Sequence, residues 1–268
     1  MNNYIFYITN FANYIKTYLI NQKIYDKIKN IKIIYCENLK EYLIKNAERI
    51  CYLHCGYNNK SDILDDEIKK LINLKRLDVG GNCFITDEGI SNLTSLKKLN
   101  CGINNNFTNE GISKLTNLEI LNCCNNKNFT DEGISKLMLL SKLDCGFNDN
   151  FTDEGLSKLT NLRVLDCGKN RIFTDNSLSK LTNLTYLNCA HNKNFTDEGI
   201  SKLTNLEILN CCNNKNFTDE GISKLINLYE LDCGKNTNFT NEGISKLKNL
   251  KKIYHGDNKN KLLLKLNN

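Results

Sequence analysis

The chain has 268 residues, of which 40% are hydrophobic, and carries 36 Lys and Arg against 30 Asp and Glu for a formal net charge of +6. So small an excess does not mark a nucleic-acid binder, the apolar stretches are too interrupted to span a membrane, and an odd count of 13 cysteines does not describe a closed disulfide framework. Proline is absent, and the abundance of Asn, Ile and Lys matches an AT-rich genome such as that of a protist or a large DNA virus, in which case the working compartment is a host cell.

Residues 1–30 carry Tyr4, Ile8, Phe11, Ile15 and Tyr18 at helical spacing, with Tyr7 and Tyr14 beside them, which predicts an amphipathic helix. Three uses fit it: a cap over the end of the following domain, a docking element for another protein, or a membrane-surface helix. Asn10, Asn13 and Lys16 break the apolar run well short of a spanning length, and no basic residue precedes it as a secretory signal requires.

Residues 31–260 form an array. Glu110–Leu137 reappears unchanged at Glu198–Leu225, and the offset of 88 residues is four copies of a 22-residue unit. A fixed period of this length means stacked supersecondary units that share one core. The copy starting at Leu118 reads LEILNCCNNKNFTDEGISKLML, with apolar residues at unit positions 1, 4, 6, 12, 17 and 20. Position 12 runs without interruption through Ile63, Ile85, Phe107, Phe129, Phe151, Phe173, Phe195, Phe217 and Phe239. The spacing of Leu118, Leu121 and Cys123 suits a short strand, whereas Thr130 before Asp131 and Glu132 reads as a helix N-cap with acids in the first turn. Each unit is therefore strand, turn and short helix, and the strands stack in parallel about 4.8 Å apart.

The ends are less regular. Ile50, Leu53 and Cys55 repeat the strand pattern, but Cys55 lies eight residues before Ile63 where later units use six, which places a two-residue insertion within 56–62. Ile31, Ile34 and Cys36 fit a degenerate first unit, Leu250, Ile253 and His255 fit a last strand, and residues 261–268 read as a C-terminal cap.

The LxxLxCxxNxNFTDEGISKL pattern, over residues 50–260, resembles the leucine-rich repeat family, in particular its cysteine-containing subclass found in ribonuclease-inhibitor-like and F-box adaptor proteins. The resemblance implies an α/β solenoid of ten to eleven repeats, with a curved parallel β-sheet on the concave face and helices on the convex face. The segment after position 20 is shorter than in that subclass, so the helices should be short.

Cys36, Cys55, Cys101, Cys123, Cys145, Cys167, Cys189, Cys211 and Cys233 all occupy position 6. With no alternating histidine or CxxC loop they read as a buried column of small apolar side chains rather than a metal site, and they point to a reducing compartment, cytosol or nucleus. Cys123–Cys124 and Cys211–Cys212 should face opposite sides of a strand. NFT recurs at Asn106, Asn128, Asn150, Asn194, Asn216 and Asn238. It reads as repeat consensus, with the Phe a core anchor and the Asn a turn residue, rather than as glycosylation acceptors. Asn82, Asn104, Asn126, Asn148, Asn170, Asn192, Asn214 and Asn236 at position 9 should bond the turn backbone.

Positions 3, 5, 7 and 8 should leave the core on the strand face. Position 5 is an Asp/Asn ladder in which Asp144 and Asp166, about 5 Å apart, repel unless a donor lies between them. The same residue types recur all along the face with no nucleophile or histidine beside one pair, which argues against acid–base chemistry. Position 7 is small at Gly102, Gly146, Gly168, Ala190 and Gly234, either to leave room for a ligand or to suit a bend. Variation falls at positions 3 and 8, which makes Arg76, Lys98, Lys142, Tyr186 and Glu230 in one column, and Phe147, Lys169, His191 and Lys235 in the other, candidate partner-binding residues. The lysines from Lys246 to Lys265 read as a solvated cap. These features predict a non-catalytic scaffold that holds a protein or peptide partner on the concave face, with no catalytic residue, no cofactor, no metal and no small-molecule substrate. The family resemblance implies as an alternative the substrate-recognition subunit of a ubiquitin ligase, its F-box missing or eroded, since residues 1–30 are shorter than an F-box and lack its Leu-Pro opening.

Overall fold

The computed structural model describes residues 4–7, 39–55, 63–81 and 84–256. Within each unit, positions 3 to 5 form a strand: β3 (Arg76–Asp78), β4 (Lys98–Asn100), β5 (Ile120–Asn122), β6 (Lys142–Asp144), β7 (Val164–Asp166), β8 (Tyr186–Asn188), β9 (Ile208–Asn210), β10 (Glu230–Asp232) and β11 (Lys252–Tyr254), preceded by β2 (Ile50–His54). All pair in parallel in sequence order, and like positions face like: Leu99 opposes Leu121, which opposes Leu143. An array without insertions gives this register, because one slipped residue would turn every inward side chain outward.

A short helix of about one turn follows each strand from β2 to β10. Asp153–Leu156 is typical: Thr152 holds the extended N-cap conformation with its hydroxyl accepting from the Glu154 N–H, and Leu156 turns into the core. The inward columns are buried up to the last strand, where Ile253 and His255 are only partly covered; in the unit that starts at Leu118, the residues Leu118, Leu121, Cys123, Phe129, Ile134 and Leu137 are fully so. Burying each phenylalanine contributes roughly 1.5–3 kcal/mol, and the column continues from unit to unit as one core.

Hydrogen-bond ladders lock the turns. Most position-9 amides bond as expected: Asn126 Oδ1 accepts from the Asn128 N–H at 3.0 Å, while its Nδ2 donates to the Asn104 carbonyl one unit back; in Asn192 and Asn214 the buried Nδ2 makes no such bond. Position 11 adds a second ladder, Asn194 Nδ2 donating to the Arg171 carbonyl at 2.7 Å, so the NFT asparagines are committed to the neighbouring turn. A third runs at position 22, where Asn183 Nδ2 donates to the Thr160 carbonyl at 2.9 Å.

The TDEG segment makes a fourth ladder that a single unit does not reveal. Asp153 Oδ1 accepts from the Thr174 N–H of the next unit at 2.9 Å, and Asp153 Oδ2 accepts the Thr174 hydroxyl. The glycine at position 16 must then pass close to the preceding unit's carboxylate. A Cβ on Gly155 would overlap Asp131 Oδ1, and one on Gly199 would overlap Asp175 Oδ1. Ser177 is the exception, fully buried, with its Oγ donating to Asp153 Oδ1 at 2.5 Å.

The N-terminal end differs from the expectation at four residues. Tyr4–Tyr7 form a strand, β1, which pairs in parallel with β2, Phe6 opposing Leu53. An aromatic and β-branched run of four residues suits a pleated edge, and the open edge of β2 offers unpaired backbone groups for it. β1 also takes the place beside β2 expected for a strand at Ile31–Cys36. The rest of the expected helix over 8–30, that degenerate unit, the insertion within 56–62 and the cap at 261–268 lie outside the described residues. A helix at Leu39–Lys45 precedes β2 and contributes the fully buried Leu43 to the core.

Candidate functional site

The strand face carries two rows of variable side chains. Position 3 runs in register as Arg76, Lys98, Ile120, Lys142, Val164, Tyr186, Ile208, Glu230 and Lys252, one residue per strand from β3 to β11. Five of the nine candidate residues, Arg76, Lys98, Lys142, Tyr186 and Glu230, therefore share one line. Glu230 is already paired, its Oε2 lying 3.3 Å from Lys252 Nζ.

The other four candidates lie where the strands turn away. Phe147, Lys169, His191 and Lys235 all hold left-handed backbone, with φ of 59°, 61°, 64° and 63°. Ile103, Asn125 and Asn213 share it, as does Gly81, so position 8 is the bend residue. The glycines of position 7 have no such requirement: Ala190, Cys124 and Cys212 occupy the same place, and a Cβ at Gly168 would meet only ordinary contacts. Neighbours in the position-8 row touch. Lys169 Nζ lies 4.4 Å from the Phe147 ring centroid, a cation–π contact, and Asn213 Nδ2 donates to His191 Nδ1 at 2.9 Å.

Position 5 lies between the rows. Asn100 Nδ2 donates to Asp78 Oδ1 at 3.0 Å, and Asn188 Nδ2 donates to Asp166 Oδ2 at 2.9 Å. Burial acts to raise the Asp78 pKa, but the hydrogen bond and charge of His54, 3.0 Å away, together with the Gly80 N–H and Asn100, hold it below the ordinary value. Asp144 opposes Asp166 directly and has only the Gly146 N–H, at 3.3 Å. Burial and then the Asp166 charge raise its pKa.

Position 6 shows why cysteine suits the inner side of the strand. The Cys101 N–H and thiol both point at the Asn122 carbonyl, at 2.8 and 3.4 Å, so one acceptor takes two donors. Burial pushes the thiols up, Cys55 to about 12. Cys124, on the outer side, is half-exposed and raised to about 11 by burial and by Asp144 and Asp166. Among the described residues no group of His, Cys, Asp and Glu could hold a metal ion, and no helix is long and apolar enough to cross a membrane.

Sequence reasoning missed position 2. Lys75 and Lys97 directly precede β3 and β4, are exposed, and with Arg76 and Lys98 gather four cations at the start of two neighbouring strands. The signal was present as two dibasic pairs at identical unit positions.

A family model described as Leucine Rich repeat matches residues 70–93 and 180–204. A parallel sheet of like-on-like strands, each followed by one helical turn, is the architecture that this pattern encodes. The chain is a leucine-rich repeat protein. It is similar to the internalin InlF from Listeria monocytogenes str. 4b F2365, at 25% identity and a TM-score of 0.66 over 85% of this chain and 66% of that one. It is also similar to the functional domain of InlJ from Listeria monocytogenes, described as including a cysteine ladder, at 26% identity and a TM-score of 0.63 over 85% of this chain. The chain spans 66% of the first and 47% of the second. The TLR13–ssRNA13 complex, at 22% identity and a TM-score of 0.56, shares the fold. No curated protein matches by sequence.

Proposed function

We propose that this leucine-rich repeat chain is a non-catalytic scaffold that holds a protein or peptide partner on its strand face, in a reducing compartment. The observation that carries the reading is the contrast between two layers. Positions 9, 11, 13, 14 and 22 are nearly invariant and mostly bonded from unit to unit, while position 3 alternates among Arg, Lys, Ile, Val, Tyr and Glu in one in-register line. Solenoids of this kind offer an extended concave surface, and exposed aromatic, aliphatic and cationic side chains are what protein interfaces use as anchors. Among the described residues every thiol is free of disulfide bonding, which supports the compartment. No observation on the described residues favours a ubiquitin-ligase role, whose adaptor-binding part would fall among residues 1–30.

A photo-crosslinking amino acid placed at Lys142 on the face, and separately at Lys136 on the helical side, tests it in extracts of the native cell. A discrete protein adduct at 142 and none at 136 supports the reading; adducts at 136 alone refute it.

A further inference from the structure

Charge and apolarity are not mixed along the face but divided into zones. Over β3 and β4 stand Lys75, Arg76, Lys97 and Lys98, of which only Lys97 has an acidic partner, Glu119 Oε1 at 2.5 Å. Asp78, the acid of these strands, is engaged by His54 and Asn100. Lys75, Arg76 and Lys98 make no direct ion pair among the described residues, and the four cations outnumber the two neighbouring acids, Asp78 and Glu119. From β5 to β9 the same row becomes Ile120, Lys142, Val164, Tyr186 and Ile208, apolar at four of five places. Two residues along β6 and β7 lie Asp144 and Asp166, facing each other with no donor between them.

Resting on the scaffold reading above, we infer that the occupant of this face is an extended segment of a partner protein in which acidic residues are followed by apolar ones. The acidic part lies over β3 and β4 and the apolar part over β5 to β9. The complementarity is one of exclusion as well as attraction. Carboxylates are drawn to the cationic excess at β3 and β4 and repelled by Asp144 and Asp166, so sliding the segment toward β9 brings like charges together and fixes its register. The six spacings from β3 to β9, at about 4.8 Å each, cover about 29 Å, which an extended chain at about 3.3 Å per residue spans with about nine residues. A uniformly acidic segment would gain the quartet and be rejected further along.

Fluorescence anisotropy with synthetic peptides tests this on the full chain. The probe is a run of glutamates followed by alternating leucine and serine, long enough to span the face; companions replace every glutamate by lysine, or every leucine by serine. The first peptide should bind at least about tenfold more tightly than either companion, lose affinity as salt rises, and lose at least about tenfold with the R76E/K98E double variant but not with K136E/K180E on the helical side. Preferential binding of the lysine peptide, equal loss with both variants, or no binding by the glutamate–leucine peptide overturns the inference. The crosslinking result at Lys142 is independent of these outcomes, so a face that captures a partner of other chemistry remains distinguishable from a face that captures none.

Discussion

Asp166→Asn should stabilise the protein, and only where carboxylates are ionised. Asp144 and Asp166 are opposed on β6 and β7 about 5 Å apart, where two unit charges repel by about 0.8 kcal/mol at the dielectric of water and by about 3 kcal/mol at an effective value of 20. Both side chains are half-exposed, and screening moves the cost toward the lower figure. The substitution also installs a donor where the ladder uses one elsewhere, as Asn100 does toward Asp78 and Asn188 toward Asp166. Part of that gain is offset, because Asn188 then donates to a neutral amide. The expected net is about 1 kcal/mol near pH 7.

The pH dependence separates this account from a general improvement in packing. Burial and the Asp166 charge raise the folded pKa of Asp144 above its ordinary value of 3.8. A raised carboxylate favours the folded state when protonated, so the penalty is absent below the ordinary pKa and grows as pH rises through the folded one. Urea melts of the wild-type and D166N chains should coincide near pH 3 and separate near neutrality. A gain of equal size at both pH values, or a loss at neutrality, refutes the reasoning.

The thiols offer a check on strand register: Cys124 and Cys212 should label with a maleimide well before Cys123 and Cys211, the rate at Cys124 rising with pH toward about 11, and equal labelling read by mass spectrometry would place position 7 wrongly. Gly155→Ala should cost more than about 1 kcal/mol by forcing the Asp131 carboxylate aside, whereas Gly155→Ser, which can donate as Ser177 does to Asp153, should cost less; comparable melts would show that the carboxylate does not set this position. Phe151→Ala should cost roughly 3–5 kcal/mol in denaturant melts, against under about 0.5 kcal/mol for Lys136→Ala on the exposed helical side.

What the sequence made legible is whatever one unit carries within itself. The period, the inward columns including Phe129 and Leu137, and the opposite facing of Cys123 and Cys124 follow from spacing alone, and the shortness of the helices from comparison with the resembled subclass. Features that join residue i to residue i+21 are invisible in one unit. The Asp153 to Thr174 bond is of this kind, and its only trace was that glycine precedes the apolar residue in TDEGI while Ser177 stands in for it once. Position 8 is legible as a variable row but not as the bend, because Ile103, Phe147 and Lys169 do not look like left-handed residues; the hint lay in Gly81, Asn125 and Asn213 of the same column. Tyr4–Tyr7 fitted a helical spacing counted over many residues, whereas the strand they form is set by a partner distant in sequence, β2.

The fixed layer also explains why specificity can reside in so few side chains. Asparagine and aspartate ladders on the turns and along the helical side bond each unit to the next, so the backbone under the position-3 row is held before any partner arrives, and less ordering cost falls on binding. Neighbouring units can then differ at positions 2, 3 and 8 without disturbing the core, because those side chains contribute nothing to the inward columns. On the proposed scaffold reading, the order of the units becomes the order of the recognition surface. Lys75–Arg76 beside Lys97–Lys98 make a cationic zone only because two basic units are adjacent, and Val164, Tyr186 and Ile208 make an apolar one for the same reason.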